Sequence, residues 1–172
     1  MGLILDSSVL IAAEREGQNA RQMLAGVSAK AGNTEIAISV VTLIELAHGA
    51  ARAGTPERRA KRRQFIQELL MGLPIHPVSV PIALRTGEID GESQAKGVRI
   101  PLSDLLIGAT ALELGYSVAT TNLRHFQMIP SLPVPGFNYR SATSPESPPL
   151  STPNPDEPAS NKPSPAWTPV HP

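Results

Sequence analysis

The chain has 172 residues, with 15 Lys and Arg balancing 15 Asp and Glu, 41% hydrophobic residues and no cysteine. That length suits one domain of ordinary size, and the lack of cysteine excludes disulfides, thiolate chemistry and zinc sites of the finger type. No stretch approaches the roughly 18 uninterrupted apolar residues of a membrane span, and no basic segment precedes a long apolar run at the start, so a cytoplasmic protein without membrane association is expected.

Leu3-Ile4-Leu5 is a short apolar run closed by Asp6-Ser7-Ser8, the pattern of a buried parallel strand running into a helix start. Ile36-Ala37-Ile38 ends in the same way at Ser39, and helical spacing follows through Ile44, Ala47 and Ala51. A helix is predicted over Pro56 to Met71, with proline at its start and Phe65 and Leu69 on its apolar side. His76-Pro77-Val78 reads as a weak strand, Pro81 to Lys96 as a helix, and Ser103 to Leu114 as a helix closed by Gly115. Tyr116 to Thr120 reads as a further strand. Strands alternating with helices indicate an α/β fold with a mainly parallel sheet and helices on both faces. In such sheets, sites form at the carboxyl edge.

The end of the chain differs in kind. Ten of the eighteen prolines fall between Ser141 and Pro172, where apolar periodicity is also missing. Before Ser141 there are 14 basic and 12 acidic residues, and after it 1 and 3. One domain is therefore expected over residues 1–140, followed by a disordered Pro/Ser-rich tail over 141–172. A peptide-docking role for PxxP-like spacings such as Pro145 to Pro148 is the lesser reading, because they arise by chance at this proline density.

Three acids map to one edge of the predicted sheet. Asp6 closes the first strand, Glu45 sits early in the helix after the second, and Asp104 opens the helix before the last. Each has a structural explanation: Asp6 can cap the following helix, Thr42-Leu43-Ile44-Glu45 fits a capping box, and Asp104 can complement a helix dipole. Brought together, however, carboxylates repel and raise one another's pKa unless a cation neutralises them. Without cysteine or paired histidines, such a set suits Mg²⁺ or Mn²⁺.

Four segments carry a family resemblance: Leu3-Ile4-Leu5-Asp6-Ser7-Ser8, Ser39 to Leu46, Ile100 to Ala111, and Thr120-Thr121-Asn122-Leu123-Arg124-His125-Phe126. In this order they resemble the signature blocks of VapC-type PIN domains. The resemblance implies a PIN-like three-layer sandwich, usually a homodimer, with an acidic pocket for one or two Mg²⁺ or Mn²⁺ ions. It implies metal-assisted cleavage of RNA, the role of toxin in a toxin-antitoxin pair, and neutralisation by a cognate antitoxin. By position, Asp6, Glu45 and Asp104 match the family's three principal acids, as catalytic and metal-binding residues. Where many members have a further aspartate stands Asn122, whose neutral oxygen can orient water or a carboxylate, with Thr120 or Thr121 as a hydroxyl neighbour; as a plain alternative it is a turn residue. His125 stands where the family often has an acid, and His48, His76 and His125 lack ligand-like spacing, which makes them surface or packing residues.

The basic run Arg58-Arg59-Ala60-Lys61-Arg62-Arg63, with Arg52 upstream, has three readings: a grip on RNA phosphates, an antitoxin contact, or a solvated helical face. Aromatic content of 3% argues against base stacking as the main mode of recognition. No GxGxxG or P-loop pattern follows a strand, which excludes the common nucleotide-binding classes. The second aspartate typical of aspartyl-phosphate hydrolases is replaced by Ser8. The alternative to an enzyme is a catalytically impaired PIN-like binding or regulatory protein, motivated by Asn122.

Overall fold

The computed structural model describes residues 2–135, so the expected tail and the domain boundary near residue 140 lie outside the described residues. In chain order the elements are β1 (Gly2–Leu5), α1 (Ser7–Arg15), α2 (Ala20–Ala31), β2 (Glu35–Ser39), α3 (Val40–Ala51), α4 (Pro56–Gly72), β3 (Ile75–His76), α5 (Val80–Ala95), α6 (Leu102–Leu114), β4 (Ser117–Ala119) and α7 (Leu123–Phe126). The four strands form one sheet in the order β3-β2-β1-β4. Every pairing is parallel, with Leu3 opposite Ile36 on one side and opposite Ser117 on the other. The expected α/β fold with a parallel sheet is therefore observed.

Strand β1 is buried along its whole length, and its alternation serves two cores. Leu3 and Leu5 join Val9 and Leu10 of α1, Met23 and Val27 of α2, and Phe65 and Leu69 of α4 on one face. Ile4 joins Leu105 and Ile107 of α6, Val118 of β4 and Phe126 of α7 on the other. This is the three-layer arrangement. Full burial of each such leucine or isoleucine contributes roughly 1.5–3 kcal/mol, so the central strand is held from both sides. Among the described residues no helix is long and apolar enough to cross a membrane.

Two elements differ from expectation for identifiable reasons. Helix α2 was not legible by periodicity, because its buried positions Ala20, Met23 and Val27 are sparse among polar residues. Its start was nonetheless written in the chain: Asn19 and Gln22 form a reciprocal capping box, with Asn19 Oδ1 accepting from the Gln22 N–H at 2.9 Å and Gln22 Oε1 accepting from the Asn19 N–H at 3.0 Å. Strand β3 is Ile75–His76 and not 76–78. Pro77 has no N–H to extend a ladder, so pairing stops before it. Gly115 closes α6 with φ of 67°, the left-handed conformation that favours glycine.

Candidate active site at the carboxyl edge of the sheet

From β1 the chain leads to a neighbour on one side, β2, while β4 fills the other side, so the carboxyl ends of β1 and β4 flank the point where strand order reverses. Asp6 lies there. Its N–H donates to the Ala119 carbonyl at 3.0 Å, continuing the ladder with β4. Its extended backbone makes it the N-cap of α1, as the structural reading expected. The side chain is nevertheless tied to more than a cap. Oδ2 accepts from the Ser8 hydroxyl at 2.6 Å, the Ser8 N–H at 3.4 Å and the buried Thr120 hydroxyl at 2.9 Å. Among the described residues these bonds all fall on Oδ2.

The segment after β4 is held by the same two hydroxyls. Ser8 Oγ accepts from the Thr121 N–H at 3.0 Å, and Thr120 Oγ1 accepts from the Asn122 N–H at 2.9 Å. Of the two threonines, Thr120 supplies the hydroxyl that meets Asp6; the exposed Thr121 supplies only its backbone N–H in these contacts. Adjacent threonines of a strand end face opposite ways, and the buried one reaches the acid.

Asp104 stands in the first turn of α6, behind a Pro101 N-cap that has no side-chain capping bond. It is buried, and its Oδ2 lies 2.7 Å from His125 Nδ1, which in turn lies 2.8 Å from the Asn122 amide. One ring nitrogen cannot donate to a carboxylate and accept from an amide at once. According to the tautomer, Nδ1 either donates to the Asp104 carboxylate or accepts from the Asn122 Nδ2–H. His125, expected from its spacing to be a surface or packing residue, is thus joined to Asp104 and Asn122. Burial pushes the Asp104 carboxyl above its ordinary value; the His125 hydrogen bond pulls it down, and the charges of Asp6 and Glu45 push it up. The three acids thus share one electrostatic environment.

Glu45 is not the end of a capping box. The N-cap of α3 is Ser39, three residues earlier than Thr42, and Thr42 instead donates its hydroxyl to the Leu5 carbonyl at 3.2 Å, binding α3 to the end of β1. Glu45 is free of capping duty. It lines a cavity of about 180 Å³ with Glu14, Arg15, Leu46, Arg62 and Phe65 among its walls. Arg62 is committed within that wall: Nε donates to Glu14 Oε1 at 3.1 Å and an Nη to the Gly49 carbonyl at 2.7 Å. Arg52, Arg58, Arg59 and Arg63 are exposed.

Among the described residues no three His, Asp or Glu side chains close around a point as a ready-made ion cage. The donor chemistry still fits a hard cation. Neither Asp6 nor Asp104 has a Lys or Arg within ion-pair distance among the described residues, although both are buried. Mg²⁺ commonly keeps several waters and takes only one or two carboxylates directly, so two buried aspartates with Glu45 nearby suffice in kind.

The family model described as PIN domain matches residues 3–130. Ribonuclease VapC10 of Mycobacterium tuberculosis is 36% identical over 143 residues, covering 81% of this chain and 99% of the relative. This chain is a PIN-domain protein of the VapC family. Among solved structures, VapBC2 of Rickettsia felis bound to a promoter DNA fragment matches with a TM-score of 0.68 and 25% identity, over 78% of this chain and 98% of that one. VapBC-5 of Mycobacterium tuberculosis, a member of the VapBC family of toxin-antitoxin systems, matches with a TM-score of 0.60 and 25% identity, over 77% and 94%. The match to the PIN domain runs from β1 into the turn after α7, so it spans all the acids described above.

Proposed function

We propose that this PIN domain is a metal-dependent endoribonuclease and acts as the toxin of a toxin-antitoxin pair, with Mg²⁺ or Mn²⁺ as cofactor and a cognate antitoxin as protein partner. The observation that carries the reading is the setting of Asp104: its carboxyl is raised by burial and further by Asp6 and Glu45, and among the described residues His125 is its one basic partner within ion-pair distance. The match to VapC10, which is called a ribonuclease, and to VapBC assemblies supports the choice of RNA and of an antitoxin. Two ions are not required, since Asn122 brings a neutral amide where a fourth carboxylate would stand.

A bound Mg²⁺ or Mn²⁺ supplies positive charge that polarises a phosphodiester and acidifies water. The chain's own part is placement. Ser8 and Thr120 fix the rotamer of Asp6 through Oδ2, so that its carboxylate would be oriented to hold an ion or its waters. His125 orients Asp104, and Asn122 orients His125. Glu45 stands on α3 within electrostatic reach of Asp104, from where a carboxylate could hold a water or take its proton.

The test is cleavage of a panel of structured RNAs by the purified full chain, with and without Mg²⁺ or Mn²⁺. Cleavage is expected only with metal, and Asp6→Asn, which keeps the cap because asparagine caps as well as aspartate, should abolish it without unfolding the chain. Undiminished cleavage in excess EDTA would overturn the metal mechanism. An inactive wild type that still binds RNA would favour the catalytically impaired alternative.

A further inference from the structure

The basic run on α4 is arranged against the helix that carries it. The first turns of a helix favour acids, because its free N–H groups and dipole present positive potential there. Helix α4 obeys this rule once, at Glu57, and then places Arg58, Arg59, Lys61, Arg62 and Arg63 in succession. Only Arg62 of this run has a carboxylate within ion-pair distance among the described residues. Arg58, Arg59, Lys61 and Arg63 are exposed. Local electrostatics beyond Glu57 therefore weaken the helix start, and among the described residues no carboxylate lies within ion-pair distance of these four cations.

Helical spacing sorts these residues into roles. Phe65 and Leu69 fix the buried face of α4. Arg62 lies toward that face and is held by Glu14 and the Gly49 carbonyl, in the wall of the cavity that Glu45 lines. Arg58 stands one turn ahead of Arg62 on the same stripe, and Arg59 and Arg63 form a neighbouring stripe one turn apart. Arg52 is different in kind: it closes α3, where a cation complements the dipole and needs no other cause.

We propose that Arg58, Arg59 and Arg63 form a phosphate-gripping ridge on the exposed side of α4 that holds the RNA backbone, while Arg62 anchors that helix to α1 and α3 and makes no RNA contact itself. The inference rests on the ribonuclease reading above. An RNA backbone presents closely spaced anions to such a ridge, and Arg suits phosphate better than Lys where two N–H groups are offered. With few aromatic residues in the chain, the ridge binds backbone without choosing sequence.

The experiment measures binding apart from cleavage. Full-length Asp6→Asn in EDTA is titrated with a short labelled single-stranded RNA over a series of salt concentrations, alone and with Arg58→Gln, Arg59→Gln and Arg63→Gln combined. Each lost phosphate contact lowers the slope of log K against log salt by about 0.7 for a single strand, so a fall of about 2 is expected for the triple variant. The corresponding Arg→Lys triple should keep most of the slope, and Arg62→Gln should leave it unchanged. The melting temperature of the Gln triple should stay level or rise, because charges opposed to the dipole are removed. An unchanged slope with RNA still bound would overturn the ridge alone and turn attention to a protein partner. No RNA binding by the parent chain at low salt would overturn the ribonuclease reading and the ridge together.

Discussion

The two edges of the sheet carry the same kind of contact to different ends. At the amino edge, Tyr116 donates its hydroxyl to Glu35 at 2.6 Å, passing over Gly2, where an added Cβ would lie 2.3 Å from the tyrosine ring. Glu35 is exposed and remains solvated. At the carboxyl edge, Ser8 donates to Asp6 at the same 2.6 Å, yet Asp6 is only 4% exposed, and Asp104 at 9% lies in the field of two other acids. A hydroxyl bonded to a carboxylate therefore identifies nothing by itself. What separates a site from a surface clasp is charge placed where burial and its neighbours oppose it.

That contrast can be sharpened by substitutions at both edges. After Asp6→Asn, the largest effect is expected for Glu45→Gln, which removes charge but, in the absence of a capping duty, breaks no element. RNA cleavage in saturating Mg²⁺ should fall by at least roughly a hundredfold, with a melting temperature within a few degrees of wild type. Single-turnover kinetics near the wild-type rate would confine the site to the two aspartates.

A smaller effect, on stability, is expected for Asp104→Asn in metal-free solution. Because burial and then neighbouring acids raise this carboxyl in the folded chain, the folded state binds more protons than the unfolded one above the ordinary carboxylate value of 3.8. Stability accordingly falls as pH rises from 3.8 through the raised value, and the loss is complete above it. Replacing the charge should raise the melting temperature at neutral pH, and the advantage should shrink as pH is lowered through that window. Melts showing a less stable variant at neutral pH would mean that the His125 bond outweighs burial and repulsion. The smallest effect belongs to Tyr116→Phe at the amino edge, where loss of an exposed hydrogen bond should leave RNA cleavage at the wild-type level and barely move the melting temperature. A drop in cleavage there would break the distinction between the edges.

Much of this arrangement could be read before folding, for reasons that are local. Leu3 to Leu5 and Ile36 to Ile38 are short apolar runs that end in helix-starting residues, so the strands and the placement of Asp6 follow from neighbours in sequence. Asp104 is legible through the proline and serine ahead of its helix. Glu45 was legible as an acid of the family pattern, but its local surroundings suggested the wrong cap: Thr42 looks like an N-cap until its hydroxyl is seen to reach the Leu5 carbonyl, 37 residues away in sequence. His125 was hidden for the same reason. Its partner Asp104 lies 21 residues earlier, and no periodicity links the first turn of α6 to the four-residue α7. Arg62 read as one cation among several, whereas its bond to Glu14 crosses 48 residues.

The hydroxyl clamp on Asp6 also has a consequence in time. Its two anchors come from opposite ends of the domain, since Ser8 follows Asp6 by two residues and Thr120 by 114. A chain emerging from the ribosome acquires Asp6, Glu45 and Asp104 well before Thr120, and β4, which completes the sheet beside β1, arrives with it. Partial translation products therefore carry every acid of the site but not the strand and hydroxyl that orient the first of them. Such contacts, remote in sequence, form late because the intervening loop must first be closed. If these acids carry the cleavage proposed above, a chain that ends before residue 117 should lack it, for want of β4 and the Thr120 hydroxyl.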